Sequence, residues 1–386
     1  MGLNLFGAIS GNNETVGIDI GSHSVKVVQI VHTRNGYLLK SAGSAPTPPE
    51  AVNQAVVENR PALADTIQGL LHTLGISTPL VVSAVAGPSV VVRQVQLPVM
   101  PEHQLRKSIY WEARNYLSFP VEDSLLEFQI LGTRSVDGTP QMDVMLAATP
   151  RELVDSRVDT LEQAGLDPIA IELEPFALMR GLVDLPYGHA GMQETVALVD
   201  IGAAYTHITI ISNGTFVLTR SVTIAGNSFT QAIASALGVE PSHAEDVKEH
   251  ETRVVFDETA RAQLTPVGQQ ASRALEPMLE ELIREVRRSF AFFDYQQVPS
   301  ATGSQRSSEG ISRIILTGGS AKMAGLDTYL NEQLAIPVTQ VDLLSSGAVL
   351  LPERADEIPS QMPLLATAFG LALREPMLAR EKRGSR

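Results

Sequence analysis

Two stretches of this chain, 181 residues apart, are written on one plan. Val16 to Ile20 and Val25 to Val31 are β-branched, apolar runs separated by Gly21-Ser22-His23-Ser24, and Thr195 to Ile211 repeats the design. In each copy a strand ends in Asp-Ile-Gly, as Asp19-Ile20-Gly21 and Asp200-Ile201-Gly202, before a tight turn and a second strand. A repeat at so long an interval predicts two lobes of similar fold rather than a short-period solenoid. At roughly 150 residues per domain, 386 residues leave room for both lobes and a further small unit.

The repeated turn suggests a chemistry. A carboxylate at a strand end, followed by a glycine that lets the backbone turn and present its amides, suits phosphate oxygens on the amides and a divalent cation beside the carboxylate. A single Asp-x-Gly is most often only a turn. Two of them, each after an apolar strand, point to a triphosphate clamped from both sides. Lys26 and His207 each stand seven residues beyond their aspartate. Lys26 reads either as a cation reaching back to phosphate or as an edge-strand lysine that blocks aggregation. A third turn, Gly318-Gly319-Ser320, follows the strand predicted over Ile311 to Thr317 and precedes a helix with Met323, Leu326, Leu330 and Leu334 inward. Its glycines either let the backbone approach a flat or anionic ligand or simply turn the chain.

Between the lobes a segment reads independently. Leu80 to Ala86 and Ser89 to Leu97 are predicted strands, and Pro101 to Leu117 a helix with Leu105, Ile109, Ala113 and Tyr116 on one face. Leu125 to Leu131 and Met142 to Ala148 predict a hairpin across Asp137-Gly138, and Arg151 to Ala164 a helix closing at Gly165. Trp111, the single tryptophan, falls off the helical stripe, so it either packs under the hairpin or faces a partner. In the second lobe Ser228 to Leu237 is a helix ending at Gly238, Ser242 and Glu245 have capping-box spacing, and Ala271 to Tyr295 is a long helix that Pro277 bends or restarts. Pro299 to Gly310 reads as a polar surface loop. The expected organisation is a first lobe over 14–79, completed by 166–190 and 345–374; an inserted α+β subdomain over 80–165; a second lobe over 191–344 with a helical subdomain at 226–270; and a basic tail at 375–386.

Several function classes fall away. A net charge of −14 disfavours nucleic acid and anionic lipid except where positive charge is concentrated. That concentration is the end of the chain, where Arg374, Arg380, Lys382, Arg383 and Arg386 face only Glu375 and Glu381 and read as a solvated tail, or as a weak membrane or partner contact. The absence of cysteine excludes disulfides, thiolate metal sites and cysteine nucleophiles. His243 and His250 near Glu245, Glu249 and Glu251 match no metal spacing and read as a solvated helix. No Walker A, Gly-x-Ser-x-Gly or His-Glu-x-x-His sequence occurs, which removes P-loop ATPases, common serine hydrolases and zincins. The first basic residue is Lys26, and the apolar runs Val81 to Val92 and Met362 to Leu373 are shorter than the ~20 residues of a membrane span, so a cytoplasmic protein is expected.

Taken together, the three turns resemble the nucleotide site of the actin-like ATPase superfamily, and the chain is most similar to the PilM family of type IV pilus assembly proteins. The resemblance is carried by Val16 through Ser22 with Val25-Lys26, Trp111-Glu112-Ala113 with Phe119-Pro120, Val199 through Ala203, Gly226-Asn227 through Gly238, and Ile315 through Gly319. It runs from Val16 to Leu373 and implies an α/β actin-like ATPase fold of two ribonuclease-H-like lobes with the inserted subdomain. By resemblance, Asp19 and Asp200 hold Mg2+ through water, and Gly21, Ser22, Gly202 and Ala203 meet ATP phosphates through their backbone. Ser24, Lys26 and Thr206 belong to the same nucleotide site, with Gly318, Gly319 and Ser320 on the adenosine side. Glu174, in Glu172-Leu173-Glu174-Pro175, resembles the acid that orients attacking water, giving Glu174 and Asp200 the catalytic roles; its plain alternative is a carboxylate favoured at a helix N-terminus. Ala204 and Tyr205 replace small hydroxyl residues usual in the family, and His23 a usual serine, which implies at most slow hydrolysis.

The resemblance implies a cytoplasmic scaffold, peripheral to the inner membrane through its partners, that takes the N-terminal cytoplasmic tail of a PilN-like inner-membrane protein in a nucleotide-linked manner. One alternative is an FtsA-like filament-forming, membrane-associated ATPase, although the chain's end lacks an amphipathic helix, with only Met377 and Leu378 as larger apolar residues. Another is a small-molecule kinase, which needs an aspartate base in a substrate cleft, and none is visible.

Overall fold

The computed structural model describes residues 14–34, 36–136, 138–188, 192–297, 310–344, 347–351 and 358–378. The loop expected over Pro299 to Gly310 lies outside them except for Gly310, as do Asp137 of the hairpin turn and the basic residues from Arg380 onward. Contacts divide the chain into two compact units, one of Met1–Tyr187, Leu343–Pro359 and Thr367–Arg386, the other of Gly188–Asp342 and Ser360–Ala366.

The first unit is built on a six-stranded sheet. Glu14–Ile20, Ser24–Thr33 and Gly36–Pro46 form an antiparallel meander, whose β-branched residues suit a sheet covered on both faces. Leu80–Val85 joins parallel to Glu14–Ile20, Asp167–Leu173 joins parallel to Leu80–Val85, and Val349–Leu350 edges the far side. Helix Ile358–Ala372 lays its final residues over this sheet at very short range. A Cβ on Gly17 would stand 2.1 Å from the Ala368 carbonyl oxygen, and one on Gly370 1.9 Å from that of Ala177 in helix Glu174–Met179. Only glycine permits either approach.

Past that helix the chain does not leave the unit as a solvated tail, as expected for Arg374. Arg374 and Glu375 are fully buried. Arg374 Nε donates to Glu172 Oε1 at 2.7 Å, its Nη1 bonds Glu375, and Arg180 grips both Glu172 oxygens at 2.8 Å. A buried arginine is retained where carboxylates balance it, and Glu172, in the strand before the Glu174 helix, supplies that balance.

The inserted segment forms its own three-stranded antiparallel sheet, ordered Val91–Pro98, Thr139–Pro150, Ser124–Val136. Helix Glu102–Ala113 buries Leu105, Ile109 and Ala113 with Val95, Leu97, Val121, Val144 and Leu146. The helix stops at Ala113, short of Leu117, so Tyr116 leaves the stripe, stays partly exposed and donates its hydroxyl to Glu112.

The second unit repeats the first. Its sheet runs Thr215–Val222, Thr206–Ser212, Thr195–Ile201, Arg313–Thr317, Val338–Gln340, an antiparallel meander extended by two parallel strands. The first sheet has the same order through its leading five strands, so the repeat seen in sequence is a repeat of topology: two ribonuclease-H-like sheets in an α/β fold. Helix Pro266–Gln297 runs unbroken through Pro277 and begins five residues before the expected start. Thr265 accounts for that start, because its Oγ1 accepts the Gly268 amide at 3.0 Å and Pro266 takes the first helical position. Among the described residues no helix is long and apolar enough to cross a membrane.

Candidate functional site

The two hairpins match in register. Ile20 pairs with Val25 and Ile201 with Thr206, and across each turn the glycine amide bonds the carbonyl three residues on, Gly21 to Ser24 at 3.1 Å and Gly202 to Tyr205 at 3.0 Å. The same register sets Asp19 opposite Lys26 and Asp200 opposite His207. Cross-strand neighbours share a face of the sheet. Lys26 Nζ therefore reaches Asp19 Oδ2 at 3.1 Å. Its strand lies between two others, so the edge-strand reading of Lys26 does not hold. His207 is buried, with Nδ1 2.8 Å from Ser221 Oγ.

Neighbouring elements hold each turn. Thr47 donates its Oγ1 to the Gly21 carbonyl at 2.7 Å and its amide to the His23 carbonyl at 2.9 Å. In the second unit the first amides of helix Gly226–Leu237 take over, Gly226 donating to Gly202 at 2.9 Å and Asn227 to Ala203 at 2.8 Å. The Gly318 turn joins the second hairpin directly. Gly318 has φ +92°, its amide donates to the Pro363 carbonyl at 2.9 Å, and a Cβ there would stand 2.6 Å from Asp200 Oδ1 and 2.4 Å from the Ile201 carbonyl oxygen. Ser320 Oγ lies 3.4 Å from the Gly202 carbonyl oxygen. Asp200, Gly202, Ala203, Gly318 and Ser320 are thus brought together, while Thr206 is buried with its hydroxyl donated to the Ile224 carbonyl at 2.7 Å. In the first unit Asp19, Gly21, Ser22 and Lys26 share one hairpin; Ser24 is buried beside them, and half-buried Glu174 opens its helix.

One cluster escaped the sequence reading. Helices Gly226–Leu237 and Pro241–His250 place Thr230, Glu245 and Lys248 in a buried knot, with Lys248 Nζ 2.7 Å from both Glu245 oxygens, 2.9 Å from Thr230 Oγ1 and 3.4 Å from the Gly226 carbonyl. The capping box expected of Ser242 and Glu245 does not form: Pro241 occupies the first turn, and Glu245 turns to Lys248 and Thr230 instead. The knot adjoins the helix start that holds Gly202. Its signal was the Glu-x-x-Lys spacing, which puts acid and base on one helix face.

Trp111 does not pack under the hairpin. Its side chain is 61% exposed, edge-on to Tyr110, with the Arg114 guanidinium 4.5 Å over its ring.

Chemically, the hairpins offer carboxylates able to hold a divalent cation and strand-end amides beside them. The glycines let each hairpin close on itself: a Cβ on Gly21 would meet Lys26 Nζ at 2.7 Å, and one on Gly202 the Tyr205 carbonyl at 3.0 Å. Taken by itself, each hairpin has a donor set whose chemistry suits a magnesium ion and phosphate oxygens.

The chain's relatives agree with this architecture. A family described as type IV pilus assembly protein PilM matches residues 17–376. A solved PilM–PilN type IV pilus biogenesis complex is 29% identical, with a TM-score of 0.78 over 94% of this chain and 98% of that one. The cell shape-determining protein Mbl of Bacillus subtilis is 25% identical over 267 residues, 63% of this chain and 78% of Mbl. The cell division protein FtsA of the same organism is 25% identical over 219 residues, 53% of this chain but only 45% of FtsA. MreB 5 of Spiroplasma citri, solved with AMPPNP, shares the fold at 13% identity and a TM-score of 0.52, over 97% of this chain and 99% of its own. With the duplicated sheets, the paired hairpins and a family match over nearly its whole length, the chain belongs to the PilM family of type IV pilus assembly proteins and has the actin-like ATPase fold.

Proposed function

We propose that this chain is a nucleotide-binding scaffold of type IV pilus assembly, or of a related secretion system. It binds ATP with magnesium through its two Asp-Gly hairpins and holds the N-terminal cytoplasmic tail of a PilN-like inner-membrane protein. The observation that carries the nucleotide reading is the duplicated hairpin, with a basic or titratable residue registered opposite each aspartate. Magnesium, when bound, neutralises phosphate charge. Asp19 and Asp200 hold it, the backbone of Gly21, Ser22, Gly202 and Ala203 meets the phosphates, and Lys26 exchanges part of its pairing with Asp19 for phosphate oxygen. Gly318, Gly319 and Ser320 lie against the adenosine.

Hydrolysis is slow in this reading, well under the ~1 to 100 per second of kinases. Glu174 orients water, while Ala204 and Tyr205 supply no small hydroxyl at the second turn. The partner reading is supported by the likeness to the PilM–PilN complex and by the exposed Trp111 and Arg114, beside half-buried Tyr110, on the inserted subdomain. Aromatic and arginine side chains of this kind anchor short extended peptides. Such a partner would place the chain at the cytoplasmic face of the inner membrane. If one nucleotide state favours the peptide, the peptide favours that state equally.

The experiment titrates ATP with magnesium and with chelator, in the wild type and in Asp200→Ala. Two aspartates beside a triphosphate repel it without a metal, so affinity should fall with chelator, and Asp200→Ala should weaken binding in magnesium. Undiminished affinity in both would remove the proposed site.

A further inference from the structure

Glu174 has little local structure to hold it. The helix it opens, Glu174–Met179, has 6 residues, and the chain then widens into a π-helical turn over Arg180–Asp184, a feature that recurs at functional sites. An isolated helix of fewer than about 12 residues is marginal in water, so tertiary bonds fix the direction in which Glu174 leaves its strand. Those bonds form around Glu172. Glu172 stands just before Glu174 in the chain, and Arg180 stands just past the end of the helix. Arg180 Nη1 donates to Glu172 Oε2 and its Nη2 to Glu172 Oε1, each at 2.8 Å. A two-pronged ion pair therefore closes a ring of chain on which Glu174 sits.

The ring is fastened to the last residues of helix Ile358–Ala372 and the chain just after it, which belong to the same unit. Arg180 Nη1 also donates to the Gly370 carbonyl at 2.8 Å, and Arg374 Nε donates to Glu172 Oε1 at 2.7 Å. Gly370 lies against the Ala177 carbonyl, and a Cβ on Gly181 would stand 3.3 Å from Phe369 Cδ1. Arg180 and Arg374 balance Glu172 and Glu375 in charge. Stability alone is a poor reason for such a buried cluster, since packed apolar side chains of similar volume often serve as well. What the two-pronged pair adds is a fixed geometry.

We propose that Arg180 is a positioning residue for Glu174: gripping Glu172, it clamps the strand-to-helix junction between them, and Arg374 anchors the clamp, so that the Glu174 carboxylate is held in one direction. This rests on the reading that Glu174 orients the attacking water. Loosening the clamp lets the carboxylate drift, and a misplacement of about 1 Å costs up to ~100-fold in rate. Nucleotide affinity, which that reading gives to the hairpins, is left alone.

The test is Arg180→Lys in the full chain, which keeps the charge balance of the cluster and loses the two-pronged grip. Single-turnover ATP hydrolysis should fall roughly tenfold, with ATP affinity within about twofold of wild type. Leu63→Ala, a cavity in the core of the same unit, should leave hydrolysis within about twofold, which separates positioning from general destabilisation. In a Glu174→Gln background Arg180→Lys should have no further effect, because the two residues act as one. Wild-type hydrolysis in Arg180→Lys overturns the proposal, as does a loss that persists without the Glu174 carboxylate or one that Leu63→Ala reproduces. A wild-type chain that hydrolyses no ATP, or a Glu174→Gln chain as active as the wild type, removes the hydrolysis reading and this inference with it. Hydrogen exchange of the protein without nucleotide is the second readout. The amides of Leu178 and Met179 should exchange as slowly in the wild type as those of strand Asp167–Leu173, and at least roughly tenfold faster in Arg180→Lys, with those of Val25 to Val28 unchanged. Should Arg180→Lys not fold, the wild-type exchange decides: amides there that exchange as in a frayed helix overturn the proposal.

Discussion

Replacing Gly318 by alanine tests whether the third turn is built around Asp200. With φ +92° and ψ 165°, Gly318 occupies a region open essentially to glycine alone, and an alanine held there costs about 1 to 3 kcal/mol. The methyl group would also sit 2.4 Å from the Ile201 carbonyl oxygen and 2.6 Å from Asp200 Oδ1. Ile201 is paired to Thr206 in the sheet and cannot step aside, so overpacking adds about 1 to 3 kcal/mol more. A total of roughly 2 to 6 kcal/mol, at about 2 to 4 °C per kcal/mol for a unit of this size, lowers the melting temperature by roughly 4 to 24 °C. Gly319→Ala is the control, because its Cβ would find only Leu364 Cδ1, at an ordinary 3.5 Å. Thermal unfolding followed by circular dichroism separates the two, and ATP titration of whatever remains folded reports on Asp200. Equal melting temperatures for the two variants would refute the argument, since local geometry alone distinguishes them.

Other outcomes follow from the same reasoning. Arg374→Met, which strips the counter-charge from Glu172 and Glu375, should cost about 3 to 5 kcal/mol in chemical denaturation; a loss under 1 kcal/mol would show that water reaches the cluster. Glu174→Gln should lower ATP turnover at least tenfold while ATP affinity stays within about twofold, and single-turnover assays would expose an unaffected enzyme. Trp111→Ala should weaken a PilN-type N-terminal peptide by roughly 5- to 30-fold in calorimetry, with ATP affinity unchanged; should Trp111→Ala bind the peptide as well as the wild type does, the second unit becomes the better candidate.

What could be read from sequence was whatever repeats or alternates. The hairpins announced themselves because Asp-Ile-Gly follows an apolar run twice, and the register that opposes Lys26 and His207 to the aspartates follows from equal seven-residue spacings. The helix carrying Leu105, Ile109 and Ala113 was legible from its stripe, but its end was not, since Tyr116 continues the period after the helix has stopped. Long-range charge pairing left no local mark. Arg374 reads as part of a basic tail until Glu172, 202 residues earlier, is placed beside it. Glu245, read with His243 and His250 as part of a solvated helix, turns inward to Lys248 and to Thr230, and Thr230 lies on another helix.

The approach of Ala368 to Gly17 sets a timetable for synthesis. The strand Glu14–Ile20 is made long before Ile358–Ala372, the helix that covers it. At roughly 5 to 20 residues per second, a ribosome needs on the order of 20 to 70 seconds to travel from one to the other. Through that interval the nascent first sheet presents an uncovered apolar face, and Glu172 waits for Arg374. The helix-covered face forms only once that helix has been made, which marks this step as the one where a holdase would act, and where a product stalled short of it would aggregate first.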